Sequence, residues 1–366
     1  MLSKKIFKSL YGELKLPVFF PDATKAVLKT LDSEDIENTK TPGILINTYH
    51  LYQDLGRKIL KRFGGIRPFM SWKGALISDS GGFQVMSLAK KFNKRGSVTD
   101  RGVTFQPPGG QKIHFTPEES IEFQMELKPD MVVALDDFTD PSSTYEEARD
   151  TVERTILWAK ICKKEFERCL EERKINEKER PYLLAIAQGG EFLDLRHECT
   201  QRLAEIGFDG LGYGGWPAGE DGKFSYETVK AVADETPKNC LLYGLGIGRP
   251  DEIVGCTDLG YDIFDCVLPT RDARHGRLYV FEGSSMDEIN IRAPKFYSYY
   301  TPDKEKNYDD HEPVSKACDC LLCRRYSRSY LAHLFKIEDT TALRLSTIHN
   351  LRFYSLLMEK IREERS

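Results

Sequence analysis

This 366-residue chain lacks several features that mark other classes of protein. It has no apolar run of the roughly 20 residues that a membrane-spanning helix needs, which argues against a membrane protein. The basic residues near the N-terminus are not followed by the hydrophobic core of a signal peptide, so we expect no secretory leader. The formal net charge of −4 argues against binding to nucleic acid through bulk charge, so any such contact needs a local basic patch. Internal repeats and low-complexity linkers are also missing.

The cysteine content does not fit a disulfide-stabilised protein. The nine cysteines are odd in number, and six of them are scattered singly through predicted helices and strands. Disulfide frameworks of secreted domains use paired cysteines, whereas reduced thiols are typical of the cytoplasm. We therefore expect a cytoplasmic protein.

The order of apolar and amphipathic segments predicts an α/β fold. Eight short runs have the length and β-branched content of buried parallel strands, at residues 16–20, 44–48, 75–78, 131–135, 182–187, 210–213, 240–245 and 262–268. Amphipathic stretches lie between most of them, and one begins at Thr116, an N-cap residue whose capping box is completed by Glu119. Eight strands separated by helices favour a (β/α)8 barrel, or TIM barrel, over a doubly wound sheet.

Three aspartates lie at or near the ends of these apolar runs, namely Asp79, Asp136 and Asp265. A carboxylate at the C-terminal end of a buried strand points towards the mouth of the barrel, where active sites are built. We therefore expect one site that uses the three carboxylates for acid–base or nucleophilic chemistry. The alternative is that Asp79 caps a helix and Asp136 caps a loop.

A metal site is predicted near the C-terminus. Cys318, Cys320 and Cys323 place three thiols within six residues, and His349 follows. Three cysteines and one histidine are a ligand set of closed, tetrahedral, structural zinc sites. His333 competes with His349 for the fourth position, but it is only ten residues after the cluster and could not easily fold back along one helix. We expect residues 1–366 to form a single catalytic barrel domain, with a zinc-binding subdomain at about residues 300–350.

Six motifs, taken in this order, resemble those of the tRNA-guanine transglycosylases of the bacterial type. They are Asp79-Ser80-Gly81-Gly82-Phe83-Gln84, Gln188-Gly189-Gly190, Gly214-Gly215, Gly246-Ile247-Gly248-Arg249-Pro250, Phe264-Asp265-Cys266-Val267-Leu268-Pro269-Thr270-Arg271 and the cysteine–histidine cluster. The resemblance runs from Pro17 to the C-terminal helix. It implies a zinc-containing (β/α)8 barrel that exchanges the wobble-position guanine of certain tRNAs for a 7-deazaguanine base, in queuosine biosynthesis or salvage.

The resemblance also implies catalytic roles. Asp265 would be the nucleophile that attacks the ribose anomeric carbon and forms a covalent intermediate, and Asp79 would be the general acid and base. Exchange with retention needs such a pair, because a carboxylate must hold the sugar while a second group protonates the leaving base.

Five further residues are expected to bind the base. By resemblance, Asp136 accepts from the guanine N1–H and amine, a planar two-donor edge that suits one carboxylate. Gln188 and the backbone N–H of Gly215 would address the opposite carbonyl, and Trp216 and Leu245 would complete the pocket.

Partners follow from the same resemblance. Arg271 and Arg274, just after the nucleophile, would contact the anticodon loop of the tRNA, with the target nucleotide flipped out. Family members work as homodimers, and the resemblance places Trp72, Tyr326, Tyr330 and His333 at an aromatic contact between subunits.

Two departures from the family pattern concern the base. Bacterial members usually have Glu-Cys after the guanine-reading aspartate, where this chain has Asp137-Phe138, and often Leu-Ala-Val-Gly-Glu where it has residues 216–220, Trp-Pro-Ala-Gly-Glu. Pro217 has no N–H, so only the Trp216 carbonyl can meet the substituent at position 7 of the base. A carbonyl suits a protonated amine, so we expect queuine or the aminomethyl precursor. Queuine is slightly favoured because Ala218 is smaller than the common valine.

Three alternatives remain open from the sequence. A glycoside hydrolase on the same barrel would also use two carboxylates, but it would not explain the cysteine cluster or the arginines. A transglycosylase that inserts 7-deazaguanine into DNA would share the catalytic residues. A non-catalytic RNA-binding subunit would be expected to lack the nucleophile, and Asp265 is present.

Overall fold

The computed structural model describes residues 6–91, 96–106, 111–217, 222–302 and 304–365. The strands are β1 (Ile6–Ser9), β2 (Gly12–Lys15), β3 (Val18–Pro21), β4 (Gly43–Ile46), β5 (Ala75–Ser78), β6 (Ser97–Thr99), β7 (Gly102–Phe105), β8 (Ile113–Phe115), β9 (Met131–Val133), β10 (Tyr182–Ala187), β11 (Gly210–Tyr213), β12 (Leu241–Gly244), β13 (Ile263–Cys266), β14 (Leu278–Phe281) and β15 (Tyr297–Tyr300). The helices are α1 (Ser33–Asn38), α2 (Thr48–Asp54), α3 (Gly56–Phe63), α4 (Ile66–Met70), α5 (Gly82–Lys91), α6 (Pro117–Leu127), α7 (Tyr145–Glu172), α8 (Leu193–Ile206), α9 (Tyr226–Glu235), α10 (Pro250–Asp258), α11 (Leu268–Arg274), α12 (Leu321–Arg325), α13 (Arg328–Lys336) and α14 (Thr340–Glu364).

Eight parallel strands form the central sheet, in the order β3-β13-β12-β11-β10-β9-β5-β4. Each strand therefore lies beside the barrel strand that precedes it in the chain, and the first barrel strand, β3, lies beside the last, β13. The two end strands meet, because the Ala23 N–H donates to the Leu45 carbonyl at 2.7 Å and the Asn47 N–H donates to the Thr24 carbonyl at 3.2 Å. The sheet is thus nearly closed, and the predicted (β/α)8 barrel with its eight strands is confirmed.

Side chains alternate between the inside of the barrel and the helical layer, since successive residues of a strand point to opposite faces. The interior is filled by Phe7, Val18, Phe20, Leu45, Ala75, Ile77, Met131, Val133, Leu184, Ile186, Leu241, Tyr243 and Ile263. Phe7 comes from the β1–β2 hairpin and stacks on Tyr182 with ring centroids 4.9 Å apart. The barrel is therefore a packed core covered at its N-terminal end, and the space for a site lies at the carboxyl ends of the strands.

Local signals explain where several helices begin. Thr116 Oγ1 accepts from the Glu119 N–H at 3.1 Å and the Glu119 carboxylate accepts from the Thr116 N–H at 3.2 Å, which is the predicted capping box at the start of α6. Asn47 is the N-cap of α2, and its side chain accepts from the His50 N–H at 2.9 Å.

The C-terminal segments pack onto the barrel through α14. The ring of Tyr354 lies 4.6 Å from that of Phe19 on β3, and its hydroxyl donates to the Gly248 carbonyl at 2.5 Å. The hairpin β14–β15 lies against the same helix, where Phe281 stacks on Phe353. Within the described ranges, no helix is both long enough and apolar enough to cross a membrane.

Candidate active site and metal centre

A cavity of about 250 Å³ opens at the carboxyl ends of the barrel strands. It brings together the three predicted aspartates and the predicted base-binding residues. Its lining includes Asp22, Asp79, Ser80, Phe83, Asp136, Phe138, Gln188, Gly214, Gly215, Trp216, Pro217, Tyr243, Leu245, Gly246 and Asp265. Residues separated by more than 200 positions in the chain meet here. Each lies at or just after the carboxyl end of a barrel strand, and these ends are adjacent in the closed sheet.

Asp79 follows β5 and is held by three donors. Its Oδ2 accepts from Asn47 Nδ2 at 2.7 Å, and its Oδ1 accepts from the N–H groups of Thr48 and Gly81, both at 3.0 Å. Burial raises the pKa of the Asp79 carboxyl to about 7, and these donors oppose the rise. The side chain is thus fixed in orientation and has a pKa suited to exchanging a proton near neutral pH.

Asp265 lies on β13 and faces into the same cavity. Its Oδ1 accepts from the Tyr243 hydroxyl at 2.6 Å and from the Gly246 N–H at 3.2 Å. Burial raises its pKa to about 7 as well, while the hydrogen bond from Tyr243 lowers it. Because both bonds go to one oxygen, they leave Oδ2 in a defined position.

Asp136 lies beyond the end of β9 and is paired with Gln188, which follows β10. Gln188 Nε2 donates to Asp136 Oδ2 at 2.6 Å, and Gln188 Oε1 accepts from the Thr139 N–H at 3.1 Å. Burial raises the pKa of Asp136 to about 6. The neighbouring Asp137 forms an ion pair with Arg154 instead, so the two adjacent carboxylates have different surroundings.

The turn after β11 favours glycine at two successive positions. A Cβ atom at Gly214 would lie 2.4 Å from Gln188 Nε2, and Gly215 has a φ of +100°, which favours glycine. Arg196 lies behind this turn, and its guanidinium donates to the carbonyls of Gly214 at 2.7 Å, Ala187 at 2.8 Å and Gly190 at 2.8 Å. The backbone that faces the cavity is therefore held by a buried cation.

Aromatic rings line the outer side of the cavity. Phe83 makes edge-to-face contacts with Phe138 at 5.1 Å and with Trp216 at 6.4 Å. The carbonyl of Trp216 accepts a long hydrogen bond of 3.5 Å from the Tyr213 hydroxyl. Leu245 is partly buried against the barrel interior. Ala218, named in the sequence interpretation, lies outside the described residues.

The two predicted RNA-binding arginines lie on α11, directly after β13. Arg271 is exposed, and Arg274 is half-buried, with Nη1 donating to the Thr270 carbonyl at 2.8 Å. Burial and the charge of Arg271 lower the pKa of Arg274, whereas the charge of Asp22 raises it. Both residues thus lie on the helix that directly follows the strand of Asp265.

The predicted metal ligands form one buried cluster. The ligand atoms of Cys318, Cys320, Cys323 and His349 all lie within 4.8 Å of one another, and no other group of this kind is found in the part of the chain that the structure describes. His349 Nε2 lies 2.8 Å from the Tyr279 carbonyl oxygen, which orients Nδ1 towards the thiols. His333 is exposed on α13 and outside the cluster, so the choice of His349 over His333 agrees with the structure. Four protein ligands fit a closed site that could hold a metal ion.

Three residues of the cavity region were not anticipated from the sequence. Asp22 directly follows the apolar run 16–20 and Pro21, so the strand-end criterion used for Asp79 could have found it. No sequence pattern identifies Tyr243 and Asn47, because their roles depend on hydrogen bonds to carboxylates on or just after neighbouring strands. Tyr243 donates to Asp265, and Asn47 donates to Asp79.

The aromatic residues expected at a subunit contact are in two different environments. Trp72 is 1% exposed, and its indole N–H donates to the Ala75 carbonyl at 3.0 Å, so its expected role as a surface contact is wrong. Tyr326 and Tyr330 stack on each other at 5.1 Å, and Tyr330 is 41% exposed. His333 is exposed on the same helix as Tyr330.

Comparison with known proteins shows the family of this chain. The family model described as queuine tRNA-ribosyltransferase matches residues 6–364. The queuine tRNA-ribosyltransferases of Staphylococcus aureus strains JH9 and N315 are each 38% identical over 354 residues, which is 96% of this chain and 86% of the relative. The chain therefore belongs to the queuine tRNA-ribosyltransferase family, whose members are pentosyltransferases.

Proposed function

We propose that this protein is a tRNA-guanine transglycosylase that replaces the wobble-position guanine of tRNA with a 7-deazaguanine base. The observation that supports this most directly is that Asp265 and Asp79, from different strands, line one cavity with the paired Asp136 and Gln188. Asp265 and Asp79 provide the two carboxylates that exchange at a sugar carbon requires. Asp136 and Gln188 provide hydrogen-bond acceptors and donors that match the edge of guanine.

The nucleophile in this mechanism is Asp265. Its Oδ2 forms a bond to C1′ of the target ribose as the bond from C1′ to guanine breaks, giving a covalent aspartyl–ribosyl intermediate. The hydrogen bonds from Tyr243 and the Gly246 N–H to Oδ1 orient the carboxylate for this attack. The new base then attacks C1′ from the opposite side as the bond from C1′ to Asp265 Oδ2 breaks and releases the carboxylate, so two inversions return the original configuration.

The proton is carried by Asp79. It protonates departing guanine and later accepts a proton from the incoming base, so it returns to its starting state after each exchange. A pKa of about 7 suits both directions of transfer at neutral pH.

Base recognition uses the opposite side of the cavity. Asp136 accepts from N1–H and the exocyclic amine, while Gln188 and the Gly215 N–H donate to the carbonyl. The hydrogen bond from Gln188 to Asp136 and the one that Gln188 accepts from the Thr139 N–H hold both groups in place before the base arrives. Leu245 and Trp216 contact the faces and the edge of the base.

The incoming base in this proposal carries an amine. Pro217 has no N–H, so the Trp216 carbonyl is the backbone group that can address the substituent. This carbonyl accepts a long hydrogen bond of 3.5 Å from Tyr213, and a carbonyl oxygen has two lone pairs. We favour queuine over the aminomethyl precursor.

The cysteine–histidine cluster binds structural zinc in this proposal, within a subdomain at about residues 300–350 of a single catalytic domain 1–366. One continuous core supports this, since it joins barrel residues such as Phe19 to Cys318, Cys320 and α14. The zinc would supply folding energy and take no part in the exchange.

The partners would be the tRNA anticodon loop, contacted by Arg271 and Arg274, and a second copy of the chain. In the stacked pair Tyr326–Tyr330, Tyr330 is exposed and Tyr326 is half-buried, and aromatic residues of this kind often dominate interfaces. A monomer in sedimentation at micromolar concentration would contradict the homodimer. The reduced thiols support a cytoplasmic location.

Exchange of radiolabelled guanine into unmodified tRNA tests the function directly. We expect incorporation by the unmutated protein, none by Asp265→Ala, and none into duplex DNA offered in parallel. Lack of incorporation into tRNA would overturn the proposal, and incorporation into DNA alone would support the DNA-modifying alternative.

A further inference from the structure

Asp22 is a third carboxylate on the catalytic side of the cavity, and the mechanism above does not use it. It follows β3 and lines the cavity together with Asp79 and Asp265. Val18 and Phe20 point into the barrel, and side chains two residues apart on a strand share a face. Asp22 is the next residue of this inward row, so it lies at the mouth of the barrel.

The pairing of the strands places Asp22 beside the nucleophile. In the parallel pair β3–β13, Phe20 is opposite Asp265. Asp22 is two residues beyond Phe20 towards the carboxyl end, which is about 7 Å along a strand. A ribose whose C1′ contacts Asp265 would therefore have Asp22 next to its ring, on the side of β3.

The Asp22 carboxyl can accept a further hydrogen bond. Thr24 Oγ1 donates to Asp22 Oδ1 at 2.7 Å. Burial raises the pKa of the Asp22 carboxyl, and the hydrogen bonds from Thr24 and the nearby charges of His50 and Arg274 oppose this rise. A carboxylate has about four acceptor positions, so the bond from Thr24 leaves capacity for a ligand hydroxyl.

We propose that Asp22 accepts a hydrogen bond from the 2′-hydroxyl of the target nucleotide and so makes the enzyme select RNA over DNA. The inference rests on the proposed function. C2′ is bonded to C1′, the carbon that Asp265 attacks, so this hydroxyl lies close to the nucleophile. In an internal nucleotide the 3′ and 5′ oxygens are esterified, which leaves the 2′-hydroxyl as the only free ribose hydroxyl. It is also the group that distinguishes RNA from DNA.

The test compares two hairpin RNAs that are identical except for a 2′-deoxy sugar at the target guanosine. The readout is kcat/KM for guanine exchange by the unmutated protein, Asp22→Ala, Asp22→Asn and the control Asp54→Asn, which alters an exposed carboxylate paired with Lys25. We expect the unmutated protein and the control to prefer the all-ribose hairpin by roughly 10-fold to 100-fold, as for hydrogen bonds to charged groups. In Asp22→Ala this preference falls to about 1, because the ribose substrate loses its advantage. Asp22→Asn, whose neutral amide still accepts, is intermediate.

Loss of the negative charge of Asp22 near Asp79 and Asp265 changes kcat/KM for both hairpins by the same factor. The ratio of the two kcat/KM values therefore reports only the contact with the 2′-hydroxyl. The inference is overturned if the unmutated protein does not prefer the all-ribose hairpin. It is also overturned if Asp22→Ala keeps that preference at reduced activity. In both cases the proposed exchange reaction is unaffected. If Asp22→Ala does not fold, an undiminished preference in Asp22→Asn overturns it equally. No exchange with the all-ribose hairpin by the unmutated protein overturns the proposed function, and this inference with it.

Discussion

Arg196 Nη1 lies 2.7 Å from the carbonyl oxygen of Gly214, and the same peptide group carries the N–H of Gly215. A cation that donates to one end of a peptide polarises it and strengthens the donor at the other end. Arg196 is 1% exposed, and its ring contact with Tyr213 at 4.2 Å further fixes the guanidinium. Helix α8 thus supports the backbone that faces the cavity.

Replacing Arg196 with methionine should lower both stability and affinity for the base. The carbonyls of Ala187, Gly190 and Gly214 would each lose a charged donor, and we expect a loss of about 2–4 kcal/mol in the free energy of unfolding. Urea denaturation measures this loss, and KM for guanine should rise. Arg202→Met on the same helix is the matched control, because Arg202 forms partly exposed ion pairs that contribute about 0–1 kcal/mol. Equal effects of the two changes would contradict the role assigned to Arg196.

Asp265→Ala and Asp79→Ala should have different effects on base exchange and on formation of the covalent adduct. Without Asp265 neither exchange nor a denaturation-resistant adduct between protein and RNA should form, because the bond to C1′ cannot be made. Without Asp79 the rate should fall by about 10²–10⁴, with tRNA binding retained. Gel electrophoresis under denaturing conditions detects the adduct. An adduct formed by Asp265→Ala would mean that another residue is the nucleophile.

Stability should depend on pH through Asp265. Its folded-state pKa is raised to about 7 from a usual value near 3.8, so the folded protein holds this proton more tightly than the unfolded chain. Its contribution is fully present below pH 4 and is lost as the pH rises through 7. Asp265→Asn cannot ionise, so we expect it to be more stable than the unmutated protein at pH 8, by about 1 kcal/mol or more, and to have a smaller advantage at pH 5. Thermal melts at the two pH values measure the difference, and an advantage that grows on acidification would refute the prediction.

Zinc should bind at one ion per chain through the cysteines and His349. Because a closed site contributes folding energy, we expect chelation to lower the melting temperature and to loosen the segment around α12 and α14. Elemental analysis should show reduced zinc in His349→Ala and full zinc in His333→Ala, whose imidazole is exposed. Full occupancy in His349→Ala would exclude His349 as a ligand.

Competition between bases should show a preference for those that carry an amine. We expect queuine and the aminomethyl base to displace labelled guanine from tRNA better than the cyano base, with queuine slightly ahead. Pro217→Ala restores a backbone N–H, which can donate to a nitrile, so this variant should use the cyano base better than the unmutated protein does. Preferred use of the cyano base by the unmutated protein would rule out the proposed role of the Trp216 carbonyl.

The sequence alone determined the barrel, the strand-end carboxylates and the cysteine cluster. Each depends on short-range information: a run such as 182–187 is a buried strand by its length and composition, and Asp79 lies at the mouth because its strand ends there. Thiols as close in sequence as Cys318 and Cys320 have little freedom to lie apart. The resemblance to a family then ordered these features into one site.

Tertiary structure decided what depends on strands and helices meeting. Asp22 and Asp265 are 243 positions apart, and only the pairing of β3 with β13 puts them in one cavity. Packing likewise decided that Trp72 is buried and that Arg196 supports the Gly214 peptide. Hydrophobic pattern specifies which face of an element is buried, but not which distant element covers it, because that choice is made by the packing of the whole chain.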